Sequence, residues 1–230
     1  MMGTNNLWQH LRQLGAAAQE IVFPTQCLVC GQAGHWWCQA SITLPWPSCF
    51  HCRKPNHPKR RLASCRRSLP LLTIGHYDQP SLRLAIYQWK YQGHWVISQD
   101  WANLLAKQFE PFNKEHQVFV PIPLHWRRQL ERGYNQAEIL ARQIARRTGG
   151  EVVNILSKSR RTKPQVSLTD NERLTSPVDS FRAKMLGQHQ PIWLVDDVVT
   201  TGTTINESLH VLEAAGWQVV GILALAQARP

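Results

Sequence analysis

Acid is what this chain runs short of. Fifteen Asp and Glu stand against 26 Lys and Arg, a formal net charge of +11 at pH 7, and from Ile21 to Tyr77 there is no Asp or Glu at all. That balance excludes a surface that repels polyanions and favours nucleic acid, nucleotides or phosphorylated substrates as partners. Long apolar runs are missing too. None reaches the eighteen or so residues of a membrane span, so no membrane insertion is expected. The start lacks the basic n-region and continuous apolar stretch of a signal peptide. Leu7, Trp8, Leu11 and Leu14 instead recur at helical spacing and predict an amphipathic helix within residues 1–24, in a cytoplasmic protein. Internal repeats and low-complexity tracts are absent as well, which excludes solenoid and array architectures.

What the acid-free segment does hold is cysteine. All six cysteines lie there, with Trp36, Trp37 and Trp46 and with seven basic residues between Arg53 and Arg67. Its periodicity is poor and its prolines frequent, so residues 25–70 read as a separate module that needs a metal or disulfides to fold. Cys27-Leu28-Val29-Cys30 and Cys49-Phe50-His51-Cys52 are two C-x-x-C pairs, a spacing that directs two thiolates at one tetrahedral ion, here Zn2+. Cys38 and Cys65 complete either two three-cysteine sets, with His35 for the first and His51 or His57 for the second, or they stand apart from one four-cysteine site. A redox pair and a metal-free fold are the other readings of the same spacing. Arg60, Arg61, Arg66 and Arg67, interleaved with aromatics, suit the phosphates of single-stranded DNA, with Trp36 or Trp37 stacking on bases. A solvated basic face explains the same residues.

Beyond residue 70 the texture changes to alternating strands and helices. Strands are predicted at 71–77, 118–121, 151–155, 191–196 and 217–226, and helices at 80–92, 95–109, 135–148 and 203–215. That alternation means an α/β domain over 71–230 with a parallel or mostly parallel sheet covered by helices. The stretch 157–177 is polar and basic, and too long for an inert ordered loop.

The chemistry concentrates in Ile192-Trp193-Leu194-Val195-Asp196-Asp197-Val198-Val199-Thr200-Thr201-Gly202-Thr203-Thr204. A buried-strand pattern runs into two carboxylates, then into a small hydroxyl-rich loop, then into a helix. Ligands of α/β sheets bind at the carboxyl ends of strands, and amides opening a helix hold phosphate. Asp196 and Asp197 repel that anion, so they suit neighbouring sugar hydroxyls or a Mg2+ ion carried by the ligand. An acidic turn with a Thr cap is the bland alternative. Five fixed residues at frequencies of about 5–7% each recur by chance about once in a million positions, which favours the sugar phosphate. A second strand end, Val120-Pro121-Ile122-Pro123-Leu124, precedes Arg127, Arg128 and Arg132-Gly133-Tyr134-Asn135-Gln136. Arginine forks there are suited to a pyrophosphate, and a solvated basic helix start is the other reading.

In order, the C-x-x-C pairs, PIPL…RGYNQ, Arg160-Arg161-Thr162-Lys163-Pro164-Gln165 and VDDVVTTGTT resemble the ComF/GntX family of phosphoribosyltransferase-like proteins, from about Pro24 to Arg229. The resemblance implies a phosphoribosyltransferase-like parallel-sheet domain preceded by a small cysteine-rich zinc-finger module, with 5-phosphoribosyl 1-pyrophosphate (PRPP) as ligand and a part in taking up external DNA. It places Asp196, Asp197 and Thr200, Thr201, Gly202, Thr203 and Thr204 on the ribose 5-phosphate. Arg132, Gly133 and Asn135 go to the pyrophosphate side, and Arg161 to a mobile loop over the reacting centre, making Asp196, Asp197 and Arg161 the catalytic candidates. Metal ligands are expected at Cys27, Cys30, Cys38, Cys49, Cys52 and Cys65. Ser41 and Ser68 stand where the family has further cysteines, and serine is a poor zinc ligand. A phosphoribosyl transfer enzyme with an unidentified acceptor, a single-stranded-DNA-binding protein that uses the PRPP fold as a sensor, and an adaptor docking other uptake proteins are the functional readings that follow.

Overall fold

A computed structural model of the chain describes residues 26–27, 31–33, 44–45, 47–54, 65, 68–92, 96–113, 117–124, 126–158, 181–187 and 189–229. The expected N-terminal helix, Cys30, Cys38, His35, His57, Trp36, Trp37, Arg60, Arg61, Arg66, Arg67 and Arg161 lie outside these residues. The chain forms two compact units, Met1–Ile42 and Thr43–Pro230. In the first, the described residues are a tight hairpin around Cys27, with Gln26 bridged to Ala33.

The second unit is built on a six-stranded sheet. Its strands are β1 (Ser48–Cys49), β2 (Pro70–His76), β3 (Val118–Pro121), β4 (Glu151–Val152), β7 (Pro191–Val199) and β8 (Gln218–Gln227), in the order β1-β2-β8-β7-β3-β4. All pairings are parallel except β1 with β2. A two-stranded antiparallel sheet joins β5 (Leu156–Lys158) to β6 (Phe181–Ala183). The central strands are apolar on both faces because both are covered, as in parallel sheets generally. On one face Val118, Val120, Ile192, Leu194, Ile222 and Ala224 pack with Ile205, Leu209 and Leu212 of α5 (Thr203–Ala214). On the other, Phe119 and Trp193 meet Phe109 edge-on, at ring centroids 5.4 and 4.9 Å apart. Phe109 closes α2 (Ile97–Phe109), which packs beside α4 (Gln136–Thr148). The remaining helices are α1 (Pro80–Tyr91), started by a proline at its first turn, and α3 (Trp126–Arg132).

Two departures from the sequence expectation shape the site. Strand β7 was expected to stop at residue 196 but runs to Val199, because β8 continues beside it as far as Val199↔Gln227. Strand β3 stops earlier: Pro121 pairs with Val195, and Ile122 N–H makes a last bond to Val195 O at 2.9 Å. From Asp196 onward β7 therefore has a partner on one side only, and a notch opens at the carboxyl edge of the sheet. The second departure is α3, a helix inside the basic loop. Its sequence is polar almost all round, so no apolar stripe announces it.

Candidate functional site at the carboxyl edge of the sheet

The buried residues Ile192–Val195 deliver Asp196 and Asp197 into this notch. Asp196 Oδ1 accepts the N–H of Asp197 at 2.8 Å. Asp197 Oδ2 lies 2.7 Å from Lys90 Nζ, with both side chains only 16% exposed. The two acids are thus inequivalent. Burial, reinforced by the neighbouring Asp197 carboxylate, pushes Asp196 up to about 7, and the Asp197 N–H, Lys90 and Lys158 offset this in part. Lys158, at the end of β5, is itself pushed down by burial and by the Arg128 guanidinium. Two carboxylates and two ammonium groups thus share a partly dry space, as groups poised for a charged ligand do.

One step further, Thr200–Thr204 turns into α5. Gly202 takes a left-handed conformation, φ +82°, as its N-cap. Thr201 Oγ1 and Thr203 Oγ1 stand 3.0 Å apart, and Thr203 N–H leans toward Thr201 Oγ1 at 3.4 Å. The first intrahelical bond runs from Asn206 N–H to Gly202 O at 2.8 Å, so the amides of Thr203, Thr204 and Ile205 precede it. Amides and exposed hydroxyls together form an anion cradle.

The second signature docks onto the end of α1. Tyr134 Oη donates to Trp89 O at 2.5 Å, Arg132 donates to Tyr91 Oη at 2.9 Å, and its guanidinium lies 4.8 Å from the Tyr91 ring centroid. Lys90, between those two anchors, is the residue that reaches Asp197. Lys90, Tyr91, Glu131, Arg132 and Tyr134 line a cleft of about 170 Å³, below the roughly 300 Å³ of a whole-ligand pocket. Gly133 ends α3 with its N–H on Gln129 O at 2.8 Å. Asn135 caps α4 by accepting Ala137 N–H at 3.1 Å, and its Nδ2 donates to Ile122 O at 3.0 Å. Asn135 therefore ties the end of β3 to the start of α4.

The turns that begin at Cys27 and at Cys49 are closed by the same pair of backbone bonds. Cys27 N–H donates to Gln32 O and Gly31 N–H to Cys27 O, at 2.8 and 2.9 Å. Cys49 N–H donates to Lys54 O and Arg53 N–H to Cys49 O, each at 2.8 Å. The ligand atoms of Cys49, Cys52 and Cys65 all lie within 4.8 Å of one another. Cys49 Sγ and Cys65 Sγ are 3.6 Å apart, too far for a disulfide of about 2.05 Å and close to the edge, about 3.8 Å, of a tetrahedron with zinc–sulfur bonds of about 2.3 Å. Burial raises the Cys49 thiol, but the N–H groups of Cys52, Leu69 and His51, and Cys65 beyond them, bring it down to about 7. Ser68 Oγ, three residues past Cys65, is buried with no hydrogen-bond partner among the described residues. Three converging sulfurs and a thiol eased toward thiolate fit a metal ion.

This cysteine turn touches the anion cradle. A Cβ on Gly202 would stand 2.9 Å from Phe50 Cζ and 3.8 Å from an Arg53 guanidinium nitrogen, and Phe50 shares the core cluster of Val199 and Ile205. Sequence reasoning missed Lys90, Lys158, Tyr134, Phe50 and Arg53 as parts of the site. Phe50 and Tyr134 lie inside the two motifs and Arg53 in the basic cluster, where the sequence assigns them no role of their own, and Lys90 is one of two cations on an amphipathic helix.

Comparison with known proteins agrees with this geometry. Residues 97–230 match the phosphoribosyl transferase domain family. Competence protein F of Haemophilus influenzae is 30% identical over 205 residues, covering 83% of this chain and 89% of that protein. Competence protein ComFC of Streptococcus pneumoniae is 32% identical over 140 residues, 61% of this chain and 60% of that one. DNA utilization protein YhgH of Escherichia coli (strain K12) is 26% identical over 228 residues, 90% and 99% of the two chains. The phosphoribosyltransferase domain, the order of the motifs and these relatives place the chain in the ComF family of phosphoribosyltransferase-like proteins.

Proposed function

We propose that the chain binds PRPP with Mg2+ at the carboxyl end of β7 and serves the uptake or use of external DNA. The observation that carries the reading is the Asp196–Asp197 pair in the notch left by β3, immediately before the Thr200–Thr204 cradle. The cradle takes the 5-phosphate through amides and Thr hydroxyls, and the two carboxylates take the ribose diol. Arg132 and the cleft beside Lys90 receive the pyrophosphate. Magnesium, bound with the ligand, supplies charge neutralisation between pyrophosphate and carboxylates. Cleavage at ribose C1 develops oxocarbenium character, so what the protein contributes is positioning and fixed charge. Arg161, outside the described residues, is proposed to close over that centre.

Zinc is proposed at Cys49, Cys52 and Cys65, and a second set at Cys27, Cys30 and Cys38. Single-stranded DNA is the proposed macromolecular partner, held by Arg60, Arg61, Arg66 and Arg67. Other uptake proteins are proposed to dock on the same module. The support is compositional, the absence of acid across residues 21–77, together with the names of the relatives. A cytoplasmic location is proposed; among the described residues no helix is long and apolar enough to cross a membrane.

Calorimetry with PRPP and Mg2+, run beside a pyrophosphate-release assay with single-stranded DNA present, tests the reading. Binding with release makes the protein a transferase, and binding without release makes it a sensor. No binding in the intact, zinc-loaded protein overturns the proposal.

A further inference from the structure

The chain contains its own control for the cysteine turn. Both turns place the residue after the second cysteine in the left-handed region and close on it with the same pair of backbone bonds. In the first turn that residue is Gly31, φ +73°, which the turn accepts without strain. In the second it is Arg53, φ +57°, a conformation that a residue with a side chain adopts only under strain. A strained residue persists where its side chain serves something the turn does not.

The Arg53 side chain does not point to solvent alone. It lies over the Phe50 ring, 5.4 Å from guanidinium carbon to centroid, and Nη1 donates to Gln227 Oε1 at 3.4 Å. Gln227 ends β8 opposite Val199 and also accepts from Ser48 Oγ at 3.2 Å. The other terminal nitrogen stands 3.8 Å from where a Cβ on Gly202 would be. Among the described residues no carboxylate forms an ion pair with this guanidinium. A fork with one side anchored on a neutral amide and the other beside the phosphate cradle is arranged to meet an anion.

The geometry points to Arg53 as a binding residue of the neighbouring site: carried by the cysteine turn, it reaches across to the Thr200–Thr204 loop and holds the 5-phosphate of the ribose phosphate. This rests on the PRPP reading and deepens it. The cysteine turn then does more than bind metal. It delivers a cation to the sugar-phosphate site and buttresses Gly202 with Phe50, so one element serves both modules.

The test uses the full zinc-loaded chain with ribose 5-phosphate, PRPP and inorganic pyrophosphate as calorimetric probes, in wild type, Arg53→Gly and Arg53→Lys. Glycine restores the residue that the first turn uses, so folding and zinc content are preserved. Arg53→Gly is expected to weaken ribose 5-phosphate and PRPP about tenfold to a hundredfold, the loss of one charge-assisted contact, with pyrophosphate affinity unchanged. Arg53→Lys recovers part of that loss, keeping the charge without the fork. An Arg53→Gly protein with wild-type affinity for ribose 5-phosphate overturns the assignment of Arg53 alone. A wild-type protein that binds neither ribose 5-phosphate nor PRPP overturns the functional reading, and this assignment with it.

Discussion

Lys90 Nζ lies 2.7 Å from Asp197 Oδ2, so the distal acid of the pair is held by a lysine from the first helix of the sheet domain. Flanking Lys90, Trp89 O accepts from Tyr134 and Tyr91 Oη from Arg132. Three consecutive residues of α1 thereby connect the Arg-rich loop to the acid pair. Losing the ammonium leaves a partly buried carboxylate without its cation. Lys90→Met is expected to lower the stability of the ligand-free protein by about 1–3 kcal/mol, between the exposed and the fully buried cases. Denaturant titration of Lys90→Met, Asp197→Asn and the double variant should show a favourable coupling between the two sites. Strict additivity would show that the ion pair contributes nothing.

Asp196 gives the site a pH signature. Its folded carboxyl is raised to about 7 from an ordinary value of 3.8, so between these values the folded chain keeps a proton that the unfolded chain has lost. The contribution of this group to stability is complete below about pH 4 and is lost as pH rises toward 7. Thermal unfolding of the ligand-free protein should show this as a fall in Tm from pH 5 to 7.5 that Asp196→Asn reduces. On the proposed reading PRPP with Mg2+ meets the ionised carboxylate, so affinity should run the other way and rise through pH 7. A Tm slope identical in wild type and Asp196→Asn would remove the claim.

The metal site is open to a gain-of-ligand experiment. Ser68, three residues past Cys65 in C-x-x-C spacing, has a buried Oγ with no hydrogen-bond partner among the described residues, and serine is a weak ligand for zinc. Purified protein is expected to contain zinc, and Cys65→Ser to lose it. Ser68→Cys should hold the metal against at least about ten times more chelator, the scale on which ligand changes move metal affinity. Unchanged retention in Ser68→Cys would show that a different group closes the site.

How much of this was legible depends on distance along the chain. The place of the acid pair and of the Thr200–Thr204 turn at a strand end could be read because strand, carboxylates, loop and helix start are contiguous, whereas the order β2-β8-β7-β3-β4 that leaves them exposed beside the end of β3 could not. Helix α3 was not legible: Arg127, Arg128, Gln129, Glu131 and Arg132 form helices readily but offer no stripe to the core, so periodicity is silent. Asn135 was read toward the ligand, and the structure shows it capping α4 and bonding Ile122 O, a role any N-terminal Asn takes. Lys90 with Asp197, and Phe50 with Gly202, join residues far apart in sequence. Only packing of the finished sheet brings them together. The cysteine spacing announced converging thiols that could hold a metal, but not that their turn would abut the Thr200–Thr204 loop.

The most direct measurement is calorimetric titration of PRPP with Mg2+ into the zinc-loaded wild type and into the Asp196→Ala/Asp197→Ala double variant, each checked for zinc content and circular dichroism. On the proposed reading, removing both carboxylates deletes two charge-assisted contacts to the ribose diol, about 1.5–3 kcal/mol each. The site described above therefore predicts measurable binding in the wild type and a loss of at least about a hundredfold in the folded double variant. A folded double variant that binds PRPP as tightly as the wild type would contradict the assignment of this site to a ribose 5-phosphate.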